Sequence, residues 1–95
     1  MELKEQFTGF YEAIAADPRI TYIHVSMYMA ILNAHVLHGQ ENPVQIDRDI
    51  LMQLAKISGR VTYYKCLNEL HEYGYIRYLP SFNYYLGSMV FLKRI

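Results

Sequence analysis

Arg60, Thr62, Tyr64, Lys65 and Asn68 stand between positions 60 and 68 of the chain. A guanidinium, an ammonium, two hydroxyls and a carboxamide so close together can bind an anion or read the edge of a base. The planar fork of Arg60 spans the two acceptors of guanine, and a carboxamide such as that of Asn68 pairs with adenine. Lys65 is a flexible point charge, better matched to phosphate than to a base. Thr62 and Tyr64 can donate to phosphate oxygens. Each residue also has a plainer use. Arg60 and Lys65 suit a solvated surface, and the Tyr64 ring can pack on neighbouring structure. A second group, Arg77 with Tyr84 and Tyr85, lies further on. Its tyrosines suit a nucleic-acid groove or backbone, or else a subunit interface.

Other reactive residue types are sparse. His35 and His38 are three apart, a spacing that can hold a metal, and His24 precedes them. No neighbouring cysteine or carboxylate pair completes a ligand set, so they read as core or surface histidines. Cys66 is the single cysteine, which excludes a disulfide framework and a cysteine-based zinc site. It reads as a buried space-filler, because a redox sensor needs exposure and a lowered pKa. Asp47-Arg48-Asp49 fits a helix start better than an acid–base pair. No nucleophile–base pairing and no glycine-rich phosphate loop is present. The expectation is a protein without catalysis, metal or cofactor.

The elements that position these residues follow from apolar periodicity. Leu3, Phe7, Phe10, Tyr11 and Ile14 have helical spacing, and Pro18 ends the pattern, giving a helix over about residues 2–16. A second helix covers 21–38. Met27, Ala30, Ile31, Ala34 and Leu37 form its stripe with Ile23, widened by Tyr22, Val25, Tyr28, Leu32 and Val36. A helix apolar on most sides is a central one. Val44-Gln45-Ile46 alternates as a short strand over 44–46. Asp47 then caps a helix over 48–57, with Ile50, Leu51, Leu54, Ala55 and Ile57 on its buried face. Ser58-Gly59 interrupts it. A fourth helix covers 60–73 and ends at Gly74, a left-handed cap. It turns Tyr63, Cys66, Leu67 and Leu70 inward and leaves Arg60, Val61, Thr62, Tyr64, Lys65 and Asn68 outside. Two aromatic and β-branched runs, 75–79 and 88–92, form a hairpin around a loop with Pro80 and Gly87.

Two short helices joined by a glycine-containing turn, then a hairpin, is the order of a winged helix-turn-helix. The stretch Arg60-Val61-Thr62-Tyr63-Tyr64-Lys65-Cys66-Leu67-Asn68-Glu69-Leu70, followed by Gly74-Tyr75-Ile76, resembles the recognition helix and first wing strand of winged helix-turn-helix DNA-binding domains. With Pro80-Ser81 and Gly87-Ser88 bounding the wing, and with Asp17-Pro18-Arg19-Ile20 and Asn42-Pro43 as landmarks, the chain is similar over most of its length to small regulators of Bacteroides-type bacteria and their mobile elements. The resemblance implies a mainly α fold with a small β-hairpin and an extra N-terminal helix. It implies sequence-specific duplex DNA binding in transcriptional regulation. Helix 60–73 would enter the major groove, and wing residues 80–87 would lie on the flanking backbone, with Arg77 acting on phosphate. The alternative is a winged-helix module that docks a protein partner and binds no DNA.

The whole chain bounds these readings. Ninety-five residues with 53% hydrophobic and 19% charged content make one foldable domain, 1–95, not a disordered segment. The net charge is zero, but residues 1–47 carry −4 and residues 48–95 carry +4. A basic half suits an anionic partner, although Glu69 and Glu72 lie within it. The start MELKEQF lacks a basic start followed by an apolar run, so no signal peptide is expected, and the 20–37 run is too polar for a membrane span. A reducing, cytoplasmic setting is expected. Phe7, Phe10, Tyr11, Tyr22 and Tyr28 exceed the needs of so small a core, so a homodimer through helices 2–16 and 21–38 is expected, with two recognition helices on one duplex.

Overall fold

The computed structural model describes residues 2–81 and 87–93. Its elements are α1 (Leu3–Ala15), α2 (Tyr22–Leu37), β1 (Val44–Ile46), α3 (Arg48–Ala55), α4 (Arg60–Glu72), β2 (Ile76–Leu79) and β3 (Ser88–Leu92). The protein is mainly helical, with a small three-stranded antiparallel sheet.

α2 is the central helix. Its Met27, Tyr28, Ala30, Ile31 and Leu32 are all buried, and α3, α4 and β1 pack against it. Its N-terminus uses a histidine where a glutamate is usual in a capping box. Nδ1 of His24 accepts a bond from the Thr21 backbone N–H at 2.9 Å. The stripe ends sooner than its periodicity suggests: Tyr22, Val36 and Leu37 are exposed. They sit in the outer turns, where fewer elements cover the helix. α1 closes over α2 through Phe10, whose ring stacks on Tyr28 at 3.8 Å between centroids and 4° between planes. Tyr75 meets Phe10 edge-on at 5.7 Å. The buried Gln6 carboxamide donates to the Tyr28 hydroxyl and the Lys93 carbonyl, tying α1 to the end of β3. Phe10 and Tyr28 are therefore core residues rather than surplus aromatics.

Asp47 caps α3 as expected, accepting from the Ile50 N–H at 3.1 Å. The helix ends at Ala55 rather than Ile57. Lys56 takes the left-handed conformation at φ 61°, and the Ile57 N–H closes back on the Met52 carbonyl at 3.0 Å. The buried face is also narrower than the pattern implied. Leu51, Ala55 and Ile57 are buried, whereas Ile50 and Leu54 are 58% and 47% exposed. An eight-residue helix against one neighbour covers one narrow stripe, and Ile50 and Leu54 sit on its shoulder.

α4 buries Tyr63, Cys66, Leu67 and Leu70. It ends where Gly74 adopts φ +90°, a conformation that strains any residue with a Cβ. The Tyr75 N–H then bonds the Leu70 carbonyl, turning the chain into β2. β3 is the middle strand, with β1 on one side and β2 on the other. Val44 pairs with Val90 and Ile76 with Leu92, so Val44, Ile46, Ile76, Tyr78, Val90 and Leu92 face the core. The Asn42 side chain exchanges two 2.9 Å bonds with the Leu92 backbone and so adds a rung before β1 begins. At the β2 edge, the Tyr78 N–H is bonded by His71 Nδ1 at 2.9 Å. Among the described residues no buried side-chain polar atom lacks a partner. No described helix is long and apolar enough to cross a membrane.

Candidate nucleic-acid interface

α4 divides cleanly around its axis. Tyr63, Cys66, Leu67 and Leu70 are inside, and Arg60, Val61, Thr62, Tyr64, Lys65 and Asn68 are outside, as their spacing required. Burial pushes the Cys66 thiol up to about 12, and its sulfur lies 3.7 Å from the Ile23 carbonyl. That is the environment of an inert packing residue. Among the described residues Arg60 and Lys65 form no ion pair. The Asn68 carboxamide donates to the Tyr64 carbonyl one turn back, at 2.8 Å. Its nitrogen is thus held along the helix, which weakens it as a reader of adenine.

The acid inside this basic stretch is turned aside. Glu69 Oε1 is 3.2 Å from His24 Nε2, and Oε2 accepts from the Tyr73 hydroxyl at 3.0 Å. Because Nδ1 of His24 is the acceptor for Thr21, Nε2 carries the proton and donates to Glu69. Burial pushes the Glu69 carboxyl up, but the bonds from Tyr73 and His24 hold it below the ordinary carboxylate value overall. The Glu69 carboxylate is thus oriented toward the N-terminus of α2 and keeps its charge, and Glu72 stays exposed at the end of α4.

Tyr64 is drawn into a second group. Its hydroxyl accepts from Arg48 Nη1 at 3.4 Å, across sixteen residues of sequence, and its ring meets Tyr63 edge-on. Arg48 Nε also lies 3.3 Å from Asp49 Oδ1. The Tyr64 hydroxyl first, and Asp49 second, raise the Arg48 pKa further. Arg48 and Tyr64 line a cleft of about 450 Å3 with Asp47, Asp49, Tyr78, Ser81 and Ser88. It runs between the start of α3, the exposed face of α4 and the end of the β2–β3 hairpin at Tyr78, Ser81 and Ser88. In the sequence Arg48 reads only as part of a helix start. The only signal available was that Asp47, as cap, makes Arg48 the first helical residue. Its approach to Tyr64 is tertiary.

Arg77 is not brought to this cleft. It projects from the outer face of the sheet, opposite Phe91 in register, with its guanidinium 5.7 Å from that ring. Tyr84 and Tyr85 lie outside the described residues. Among the described residues, no three His, Cys, Asp or Glu side chains are placed to hold a metal ion. His35 is buried and its Nδ1 donates to the Glu41 carbonyl at 2.8 Å, while His38 is exposed.

A separate groove of about 480 Å3, with both polar and apolar walls, lies between α2, β1 and α3. Ala34, Pro43, Ile50, Leu51, Leu54 and Met89 line it, with Glu41 and Asp47 also contributing. Comparison with family models, with curated proteins and with solved structures finds no match for the chain.

Proposed function

We propose that the chain is a winged helix-turn-helix module that binds duplex DNA as a regulator, with α3 and α4 as the helix-turn-helix and β2–β3 as the wing. The observation that carries the reading is the exposed face of α4. Arg60, Thr62, Tyr64 and Lys65 stand outward in its first turns while Glu69 is withdrawn to His24 and Tyr73. A helix of this kind fits the major groove, with its N-terminal residues at the base edges. In this reading Arg60 reads a base and Lys65 holds a phosphate. A second copy, meeting the first through α1 and α2, supplies a second helix to the same duplex.

The test is a titration of parent, Arg60→Ala and Lys65→Ala against a duplex selected from a random pool and against a scrambled one, at several salt concentrations. Loss of Lys65 weakens both duplexes and lowers the salt slope by about one unit. Loss of Arg60 weakens the selected duplex by about 1–3 kcal/mol and leaves the scrambled one unchanged. If the parent binds neither duplex at low salt, the DNA reading is wrong.

A second reading rests on the groove between α2 and α3, where Ile50 and Leu54 are exposed beside Glu41 and Asp47. A protein-docking module would use that face, and binding of neither duplex would favour it.

A further inference from the structure

Arg48, the first residue of α3, lines one cleft with Tyr64 of α4 and with Tyr78, Ser81 and Ser88 of the hairpin. We propose that Arg48 and Tyr64 together form a phosphate site at the mouth of the cleft between α3, α4 and the hairpin, and that Asp49 restrains it. This inference rests on the DNA-binding reading and assigns one backbone phosphodiester of the duplex to this cleft.

If α4 lies along a groove and the hairpin lies on flanking backbone, the strand joining those contacts passes over the cleft. The cleft is lined by hydroxyls, with Tyr64, Tyr78, Ser81 and Ser88 around Arg48. The Arg48 side chain is about a third exposed, and its guanidinium has two partners: Nη1 donates to the Tyr64 hydroxyl and Nε faces Asp49. A planar fork already oriented loses less freedom when it grips a phosphate. Tyr64 is then a positioning residue, acting through Arg48.

Asp49 decides the sign of the second effect. It is 78% exposed and lies 3.3 Å from Arg48 Nε, so it neutralises that nitrogen and repels an approaching phosphate. Asp47 differs, because its carboxylate is committed to the Ile50 N–H as the α3 cap. Removing the Asp49 charge should therefore strengthen the site, and removing the Asp47 carboxylate should instead weaken the helix.

The experiment titrates a fluorescent duplex of the selected sequence at several salt concentrations with parent, Arg48→Ala, Asp49→Asn, Tyr64→Phe and Lys65→Ala proteins. Unchanged thermal unfolding first shows that each variant is folded. Arg48→Ala should bind about tenfold more weakly, as expected for a lost charge-assisted bond, with a salt slope smaller by about one unit. Asp49→Asn should bind more tightly than the parent. Tyr64→Phe should bind more weakly yet keep the parent's salt slope, since the charge remains and only its orientation is lost. If Lys65→Ala weakens binding while Arg48→Ala and Asp49→Asn match the parent, the phosphate site is refuted and the DNA reading stands. If the parent binds no duplex at low salt, both fall.

Discussion

Asp17 is bonded by two side chains at the corner between α1 and α2. Arg19 donates to both of its carboxylate oxygens at 2.9 Å, and the Tyr75 hydroxyl donates at 2.7 Å. The Arg19 guanidinium also lies over the Tyr73 ring at 4.2 Å. These bonds fasten the α1–α2 corner to the end of α4 and the start of β2. The bond from Arg19, then that from Tyr75, holds the Asp17 carboxyl far below its ordinary range, while burial and the bond to Asp17 push the Tyr75 hydroxyl up to about 12. The folded pKa of Asp17 is depressed, so the stability it contributes is fully present above the unfolded carboxylate value near about 4. It is lost as pH falls through the folded value. Asp17→Asn should therefore lower the thermal midpoint at pH 7, and the gap to the parent should narrow below pH about 4. An equal gap at pH 7 and pH 3 would show that the ionised carboxylate is not what holds the corner.

At the scale of elements, α3 and α4 show how one apolar pattern can mean two things. The Tyr63, Leu67 and Leu70 positions of α4 are all buried between α2 and the sheet. Leu67→Ala should cost about 2–5 kcal/mol in denaturant unfolding, because the site empties without collapsing. On α3 the same kind of pattern includes Ile50 and Leu54, which the fold leaves outside. Ile50→Ser should change stability by no more than about 0.5 kcal/mol. A loss as large as that of Leu67→Ala would place Ile50 in the core after all. Hydrophobic periodicity gives the direction of a face but not its width. The width depends on how many neighbours cover it, and α3 has eight residues against chiefly one helix.

For the whole molecule, the acidic and basic halves acquire spatial meaning. Residues 48–95, with net charge +4, supply α3, α4 and two of the three strands, whereas the −4 half supplies α1, α2 and the edge strand β1. The proposed second copy belongs on the acidic half. With Phe10 and Tyr28 consumed by the core, Leu3, Phe7 and Tyr11 remain exposed along α1, four residues apart, with Tyr22 at the start of α2. Spacing of four puts them on one ridge of the helix, the kind of ridge that packs into a partner's grooves. Sedimentation at micromolar concentration should show a species of twice 11.2 kDa, and Phe7→Glu with Tyr11→Glu should return it to a single chain that binds DNA more weakly. A single-chain species for the parent at that concentration would remove the dimer.

The existence and order of the elements, the caps at Asp47 and Gly74, and the two faces of α4 were legible in the residues alone. Each depends on interactions within a few positions: a carboxylate reaching the next turn's amides, a glycine at positive φ, a 3.6-residue repeat. What depended on distant segments was not legible. No local rule places β1 beside β3, pairs Asn42 with Leu92, turns Glu69 toward His24 or brings Arg48 to Tyr64. Nor does spacing distinguish Phe10, stacked in the core, from Phe7, left on the surface three residues earlier on the same helix. Sequence periodicity reports which residues share a face, because backbone geometry alone sets that. Which faces meet, and therefore which charged groups are bonded within the fold and which face outward, is decided only when the chain closes on itself and distant side chains compete for the same neighbours.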